Sequence, residues 1–189
     1  MHICKPIKSY IINKHLTYKY FCLICCFLLS CVTNPDECGI GFTKINNQCY
    51  NDLDISVLQE IADYNNMINP LSLSTLKWND DGRLIELWLH GDTLVGNIPT
   101  TIGDLEYLVK LNLGNNLFTG PIPESIGKLE NLNYLYLHIN ELNGTIPDSI
   151  CNIYPNMEHF WIQYNSLCPP YPECIPNSEI FPQDITNCL

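Results

Sequence analysis

This 189-residue chain has few basic residues, and their distribution is informative. Residues 36 to 189 contain all 20 acidic residues against only five Lys and Arg, whereas residues 1 to 35 hold four lysines and no acid. The long C-terminal part is therefore strongly acidic, and an acidic surface repels nucleic acid backbones and anionic membranes. We expect no nucleic acid among its partners.

The sequence also lacks the short motifs around which common active sites are built. It contains no Gly-rich phosphate loop, no GxSxG nucleophile elbow and no HExxH zinc motif. Beyond residue 35 it has no CxxC pair, the spacing that is typical of structural zinc sites. We therefore predict that the protein is not an enzyme and that it holds neither a cofactor nor a metal ion.

A long apolar run is missing as well. Residues 20 to 32, YFCLICCFLLSCV, form an apolar stretch of only 13 residues, while a membrane-spanning helix needs about 20. The stretch follows a Lys-rich lead and contains the small Ser30, which is the pattern of a secretory signal. We predict a signal peptide or membrane-targeting segment at 1–31, with a short retained anchor as the alternative and as the one expected link to a membrane. The LLSC sequence that ends at Cys31 resembles a bacterial lipobox, which would make Cys31 a possible lipidation site.

Eleven cysteines are present, and those before Cys31 fall in the predicted targeting segment. An even set of six follows it: Cys38, Cys49, Cys151, Cys168, Cys174 and Cys188. In an exported chain, such a set predicts three disulfides. The alternative is a cytosolic protein in which all of these thiols are reduced.

The clearest positive feature is an internal repeat. LVKLNLGNNLFTGPIPESIGKLEN at 108–131 is followed by the similar LNYLYLHINELNGTIPDSI, and aligning the chain with itself gives four units that begin at Leu84, Leu108, Leu132 and Met157. The first two units have 24 residues and the third has 25. A period in this range with LxxLxLxxN at its head marks a leucine-rich repeat.

Each position of the unit has a physical role. The LxL alternation predicts a short strand whose apolar side chains face the core, and strands of successive units should stack in parallel because each turn can bury its leucines only against its neighbours. Position 9 holds Asn116, Asn140 and Asn165, preceded by Asp92 in the first unit. Since an Asn side chain both donates and accepts hydrogen bonds, this column predicts a ladder that joins adjacent turns.

The second half of the unit reads GxIPxxIGxL, with a further apolar column at Ile102 and Leu105 and at the matching positions of units two and three. The full pattern LxxLxLxxNxLxGxIPxxIGxL resembles the plant-type, extracellular class of leucine-rich repeats, which occurs in receptor ectodomains and secreted inhibitors. The resemblance covers about 84–167. It implies an α/β repeat fold, a short solenoid with a parallel β-sheet on its concave face.

The open ends of a solenoid need caps. We predict an N-terminal cap at 32–83, with an amphipathic helix in Asp52 to Asn66 that places Ile55, Leu58, Ile61 and Ala62 on one face. Asp52 or Asp54 is expected near the N-cap of this helix. The sequence LKWNDDGRLIELWL resembles the entry of the plant-type cap, although no cysteines flank Trp78 as they usually do in that class.

After Leu167 the repeat gives way to CPPYPEC, and we predict a disulfide-bonded C-terminal cap at 168–189. Cys151 lies at position 20 of unit three, and one turn further on lies near residue 176. This favours Cys151 with Cys174 and Cys168 with Cys188, while the local pair Cys168 with Cys174 stays open. Cys38 and Cys49 are expected to close a loop of their own.

Aromatic and imidazole side chains concentrate at the outward strand positions. The expected partner-binding residues are Trp88, His90, Tyr134, Tyr136, His138, His159, Trp161 and Tyr164. Aromatic residues dominate interface hot spots, but they also stabilise a sheet by stacking along it. The histidines do not predict a metal site, because two strands separate His90 from His138, about 10 Å at the usual strand spacing.

These features predict a secreted or surface-anchored, extracellular module that binds a protein or peptide on its concave aromatic face. An inhibitor of an extracellular hydrolase is the alternative, in which the acidic surface would meet a basic enzyme. Asn143 begins an N-x-[ST] sequence, so it is a possible glycosylation site in a eukaryotic secretory route.

Overall fold

The computed structural model describes residues 38–73 and 75–188. The targeting segment predicted at 1–31, including the possible lipidation of Cys31, lies outside the described residues, as does the start of the cap up to residue 37. The four repeat units and most of both predicted caps fall within them.

The N-terminal cap precedes the first repeat and combines strands with a helix. An antiparallel hairpin of β1 (Phe42–Ile45) and β2 (Gln48–Asn51) leads directly into helix α1 (Asp52–Tyr64). A short 3₁₀ helix (Pro70–Ser72) and strand β3 (Thr75–Trp78) follow. β3 pairs antiparallel with the first repeat strand, so the cap covers the open edge of the sheet.

Each repeat unit contributes one strand, in the order of the chain, to a five-stranded sheet that has β3 at one edge. The repeat strands are β4 (Leu84–Trp88), β6 (Lys110–Asn112), β8 (Tyr134–Tyr136) and β10 (His159–Trp161), all parallel to one another. Their register aligns Leu87, Leu111, Leu135 and Phe160 as adjacent core positions, all of them buried. The predicted solenoid with its parallel sheet is thus confirmed.

A second sheet, which the repeat pattern did not predict, forms where the GxIP segments run. It contains β5 (Val95–Asn97), β7 (Leu117–Gly120), β9 (Glu141–Thr145) and β11 (Ser166–Cys168) in the order β11-β9-β7-β5. Regular 24-residue spacing brings these segments alongside each other as well, and their free backbone groups then pair. The sheet makes each turn of the solenoid hydrogen-bonded on two sides.

The predicted asparagine ladder is present. The Asn140 amide donates to the carbonyl oxygens of Leu113 and Leu137, and its side-chain oxygen accepts from the Phe118 N–H. Asn116 and Asn165 repeat the arrangement in their own turns, and both are buried. Each side chain therefore satisfies backbone groups of two consecutive turns that would otherwise be buried without partners.

The back of the solenoid is a column of 3₁₀ helices at Ile102–Asp104, Glu124–Lys128 and Asp148–Asn152, with a further one at Tyr154–Asn156. Gly103 and Gly127 let these helices pack closely, since a Cβ at either would lie 2.3 Å from the carbonyl oxygen of Ser125 or Ser149 in the next turn. The matching residue of unit three is Cys151. No further repeat packs on that position, so a side chain fits there and bonds to the cap.

Helix α1 begins at Asp52, as the sequence indicates, and ends at Tyr64, two residues before the end of the predicted range. Asn51 is the N-cap, and its side-chain oxygen accepts from the N–H groups of Leu53 and Asp54. Asp52 and Asp54, which were expected near the N-cap, lie in the first turn of the helix. The buried face holds Val57, Leu58, Ile61 and Ala62 together with Asp54, while Ile55 is only half-buried.

Asp54 faces inward because it holds the first repeat strand. Its carboxylate accepts two hydrogen bonds from the Arg83 guanidinium, at 3.0 and 2.9 Å, and a third from the Leu84 N–H at 2.8 Å. These hydrogen bonds to Asp54 raise the pKa of Arg83, and the guanidinium also lies 4.3 Å from the centre of the Tyr107 ring. The bidentate ion pair thus lies within the cap, and the contacts of Asp54 with Leu84 and of Arg83 with Tyr107 tie the cap to unit one.

Three disulfides form, Cys38–Cys49, Cys151–Cys174 and Cys168–Cys188, which are the pairs favoured from the sequence. The last two fasten the C-terminal cap, which includes a short helix α2 (Asn177–Ile180). The local alternative, Cys168 with Cys174, does not occur.

Within the C-terminal cap, Gln183 acts as a fourth rung of the asparagine ladder. Its amide donates to the carbonyl oxygens of Ile162 and Ile180, and its side-chain oxygen accepts from the Leu167 N–H. The Tyr164 N–H likewise donates to the Pro182 carbonyl, in the position that the next repeat would occupy. The cap therefore imitates a further turn without carrying the repeat sequence.

We predict that Asp54→Asn destabilises the protein by about 3 kcal/mol, because the amide leaves the Arg83 charge largely unpaired in a mostly buried place. Urea unfolding of the two proteins measures the difference. Asp81→Asn, a change of the same kind at an exposed carboxylate, should stay within about 0.5 kcal/mol. Equal effects of the two changes would contradict a special role for Asp54.

We also predict that Gln183→Glu costs about 1 to 3 kcal/mol, because a carboxylate cannot donate to the carbonyl oxygens of Ile162 and Ile180. The matched control is Gln48→Glu, since Gln48 is exposed and its side-chain oxygen only accepts from Tyr50. Thermal unfolding of both variants distinguishes them. An unchanged midpoint for Gln183→Glu would show that the cap holds without this rung.

Candidate functional site

The register of the five-stranded sheet places the predicted binding residues in rows across the concave face. One row runs Lys77, Glu86, Lys110, Tyr134 and His159, and the next runs Thr75, Trp88, Asn112, Tyr136 and Trp161. His90 and His138 follow the strands of units one and three. We call Trp88, His90, Tyr134, Tyr136, His138, His159 and Trp161 the aromatic surface.

Short residues in unit two let the rings of units one and three meet. Asn112 is buried, and the Trp88 and Tyr136 rings lie 5.8 Å apart across its row. Gly114 has no side chain, and the His90 and His138 rings stack with their centroids 5.7 Å apart. The two rings therefore lie closer than the separation of about 10 Å expected from the strand spacing, because the His138 imidazole lies over Gly114.

The remaining rings join the same network. Tyr136 and His138 both meet Trp161 edge-on, at centroid distances of 5.1 and 5.3 Å, and Tyr134 stacks on His159 at 5.3 Å. Edge-to-face and offset arrangements of this kind are the favourable ones for aromatic pairs. All seven members of the aromatic surface are thus connected through ring contacts.

Mutual stacking does not bury the aromatic surface. Trp88 and Trp161 remain 39% and 48% exposed, and Tyr164, in the turn after β10, is 62% exposed. Stacking along the sheet and availability to a partner therefore coexist. The structure brings together all eight residues expected from the sequence except Tyr164, which lies in the adjoining turn.

Charge divides the concave face. Glu86 accepts from Lys77 at 3.0 Å and lies 3.6 Å from the Lys110 ammonium, so the N-terminal half carries a compact ionic group. The Lys110 ammonium also lies 5.0 Å from the centre of the Tyr134 ring. At the other end the Tyr134 hydroxyl donates to Glu158, and this hydrogen bond raises the pKa of Tyr134. The face thus changes from ionic to aromatic along the solenoid axis.

Sequence reasoning missed one residue of this region, Ile139. It occupies position 8 of unit three, and position 8 has a left-handed backbone in every unit: φ is 76° at Gly91, 56° at Asn115, 53° at Ile139 and 59° at Tyr164. Glycine and asparagine accept this conformation readily, whereas a β-branched residue does not. The Gly and Asn in units one and two were the sequence signal for it.

The imidazole of His138 is unusual in its surroundings. Its Nδ1 atom is buried and has no hydrogen-bond partner. Burial, and secondarily the neighbouring His90, lower the pKa of His138. Among the residues that the structure describes, no group of three or more His, Cys, Asp and Glu side chains is arranged to hold a metal ion.

We predict that His138 makes the stability of the protein depend on pH. Its folded-state pKa is lowered, so the unfolded chain takes up the proton first as the pH falls below about 6.5. The free energy of unfolding therefore decreases as the pH falls from about 6.5 towards the lowered pKa of His138 in the folded state. Urea unfolding of the wild type and of His138→Gln between pH 7.5 and pH 5 should show the wild type losing more stability. Parallel curves would contradict the assignment.

The comparisons with known proteins agree with this geometry. The family model described as Leucine Rich Repeat matches residues 107–129 and 131–153, which are nearly units two and three. No curated protein matches the chain in sequence.

Several solved structures share the fold. The ectodomain of the receptor kinase GASSHO1/SCHENGEN3 from Arabidopsis thaliana, solved with Casparian strip integrity factor 2, is 28% identical with a TM-score of 0.51 over 61% of this chain and 15% of that one. A plant ice-binding protein is 26% identical with a TM-score of 0.54, over 62% and 42%. The PEPR1–AtPEP1 complex, at 23% identity and a TM-score of 0.51 over 67% and 23%, shares the fold alone.

The chain thus spans less than half the length of each of these three structures. What they share with it is the fold, a solenoid of stacked turns. The two middle units of the chain thus match the Leucine Rich Repeat model, and its fold is similar to that of plant leucine-rich repeat ectodomains.

Proposed function

We propose that this protein is a secreted or surface-anchored recognition module that binds a protein or peptide through the aromatic surface. The observation that carries the proposal is the exposure of Trp88 and Trp161 within a continuous network of rings. Exposed aromatic clusters on a soluble domain mark contact surfaces, and Trp and Tyr are enriched among the residues that dominate binding energy.

The structural neighbours support the same class of function. GASSHO1/SCHENGEN3 was solved bound to Casparian strip integrity factor 2, so a solenoid of this kind serves there as a binding surface for a protein ligand. Leucine-rich repeat ectodomains typically bind proteins or peptides and catalyse nothing. Our proposal accordingly assigns no catalytic residue and no cofactor to this chain.

An extracellular location fits both the chemistry and the neighbours. Three disulfides persist only where the compartment is oxidising. Within 38–73 and 75–188, no helix has the length and hydrophobicity needed to cross a bilayer. We propose in addition that Asn143 carries a glycan if the chain is made in a eukaryotic secretory route. It is exposed on β9 of the second sheet, away from the rings of the aromatic surface.

Inhibition of an extracellular hydrolase is the second candidate, and the observation that favours it is charge. The described part of the chain contains only Lys44, Lys77, Arg83, Lys110 and Lys128 as Lys or Arg residues, against an excess of carboxylates. A basic enzyme would be attracted to such a surface. Both candidates require a protein partner, and they differ in whether that partner loses activity on binding.

We predict that Trp161→Ala reduces partner binding at least about tenfold, the loss typical of an interface hot spot, while the unfolding midpoint stays close to that of the wild type. The immobilised full chain is incubated with extracellular fluid of the source organism, captured proteins are identified by mass spectrometry, and their affinity for each variant is measured. The control is Leu117→Ala, because Leu117 is similarly exposed but belongs to the second sheet.

The outcome separates the possibilities. If Trp161→Ala lowers stability and leaves binding unchanged, the rings stabilise the sheet and the proposal fails. If the captured partner is a hydrolase and loses activity in proportion to the amount bound, the protein is an inhibitor.

A further inference from the structure

We propose that the binding surface extends past the strands onto the turns of units three and four, where it takes a cationic segment of a peptide. This inference rests on the proposed function and specifies the partner's chemistry. The turn surface consists of Ile139 and Tyr164, at position 8 of their units, together with the groove beside Tyr164.

The first argument is that Ile139 is held against its backbone preference. A β-branched residue at φ 53° is strained, and asparagine, which unit two has at this position, would relieve the strain. The side chain is also 46% exposed, so burial in the core does not compensate for it. A residue that costs stability and is not buried is best explained by contact with something outside the chain.

The second argument is that Ile139 and Tyr164 stand side by side. The Ile139 N–H donates to the carbonyl of Gln163, and the Asn140 N–H donates to the carbonyl of Tyr164, so the two turns are in direct register. Both side chains are exposed, and Trp161 of the aromatic surface lies three residues before Tyr164. The apolar contact area therefore continues from the strands onto the turns.

The third argument is electrostatic and selects the occupant. A groove of about 390 Å³ beside Tyr164 is lined by Asn140, Glu141, Tyr164, Asn165, Ser166, Pro182, Gln183 and Asp184. It contains two carboxylates, Glu141 and Asp184, and no Lys or Arg. An Asp carboxyl is already ionised at neutral pH, and hydrogen bonds from Thr186 lower the pKa of Asp184 further. A Lys or Arg side chain complements this groove.

The five Lys and Arg residues of the described chain lie elsewhere and do not line the groove. Lys77 and Lys110 lie beside Glu86, Arg83 is bonded to Asp54, and Lys44 and Lys128 lie in the hairpin and on the back of the solenoid. A peptide with a cationic residue next to an apolar one would therefore place the charge in the groove and the apolar group on Ile139 and Tyr164.

A displayed library of random 12-residue peptides, selected on the full chain, tests this inference. The enriched peptides should carry Lys or Arg adjacent to an aliphatic or aromatic residue, and one of them is then synthesised for titrations. Ile139→Asn should weaken its binding about tenfold and raise the unfolding midpoint by about 2 to 4 °C, because asparagine tolerates the left-handed conformation. Glu141→Gln should weaken binding and reduce its dependence on salt.

The matched control is Leu117→Gln, which removes an equally exposed apolar side chain from the second sheet. It should leave the affinity unchanged. It should also not raise the unfolding midpoint, because Leu117 does not have a left-handed backbone whose strain the change could relieve. Enrichment of acidic peptides would overturn the inference, and so would unchanged binding by Ile139→Asn. If the selected peptide is lost with Trp161→Ala but not with Ile139→Asn, the proposed function stands and this extension fails. If no peptide is enriched, this extension fails, while the capture of a protein partner from extracellular fluid still decides the proposed function.

Discussion

The whole structure depends on satisfying the backbone where the chain leaves each strand of the concave sheet. At that bend the carbonyl and N–H groups turn into the interior, and water cannot reach them. Asn116, Asn140 and Asn165 solve this problem in the same way in successive turns. Once these bonds form, the leucines of each turn are held opposite those of the next, and burial of apolar surface supplies the favourable free energy.

The aromatic surface is a consequence of the same geometry. Equivalent positions of successive units lie on adjacent strands. The size of the side chain in one unit therefore decides whether the side chains of the two flanking units can touch. Asn112 and Gly114 are small enough for side chains of units one and three to meet across them. Unit two thus shapes the face through its small side chains, while unit three contributes three of the seven rings.

The repeat could be predicted from the sequence because one physical requirement recurs with a fixed period. The strands, the core columns, the ladder and the pairing of Cys151 with Cys174 follow from position in the unit. The features that the sequence did not reveal arise from contacts distant along the chain. The ion pair of Asp54 with Arg83 joins residues 29 positions apart. The second sheet forms only if successive turns bring their GxIP segments into register. The contact of His90 with His138 depends on the orientation of the two side chains near Gly114.

The C-terminal cap has a consequence for how such an array can change in length. Cys151 occupies the place where units one and two have glycine, and Gln183 completes the hydrogen bonds of Ile162 and Leu167. These two adaptations fix units three and four at the C-terminal end of the array, and Asp54 holds unit one to the N-terminal cap, whereas unit two carries the features that fit an interior neighbour. Duplication of a repeat unit in the course of evolution would therefore be accommodated upstream of Leu132, and the C-terminal cap would end the longer array without further change.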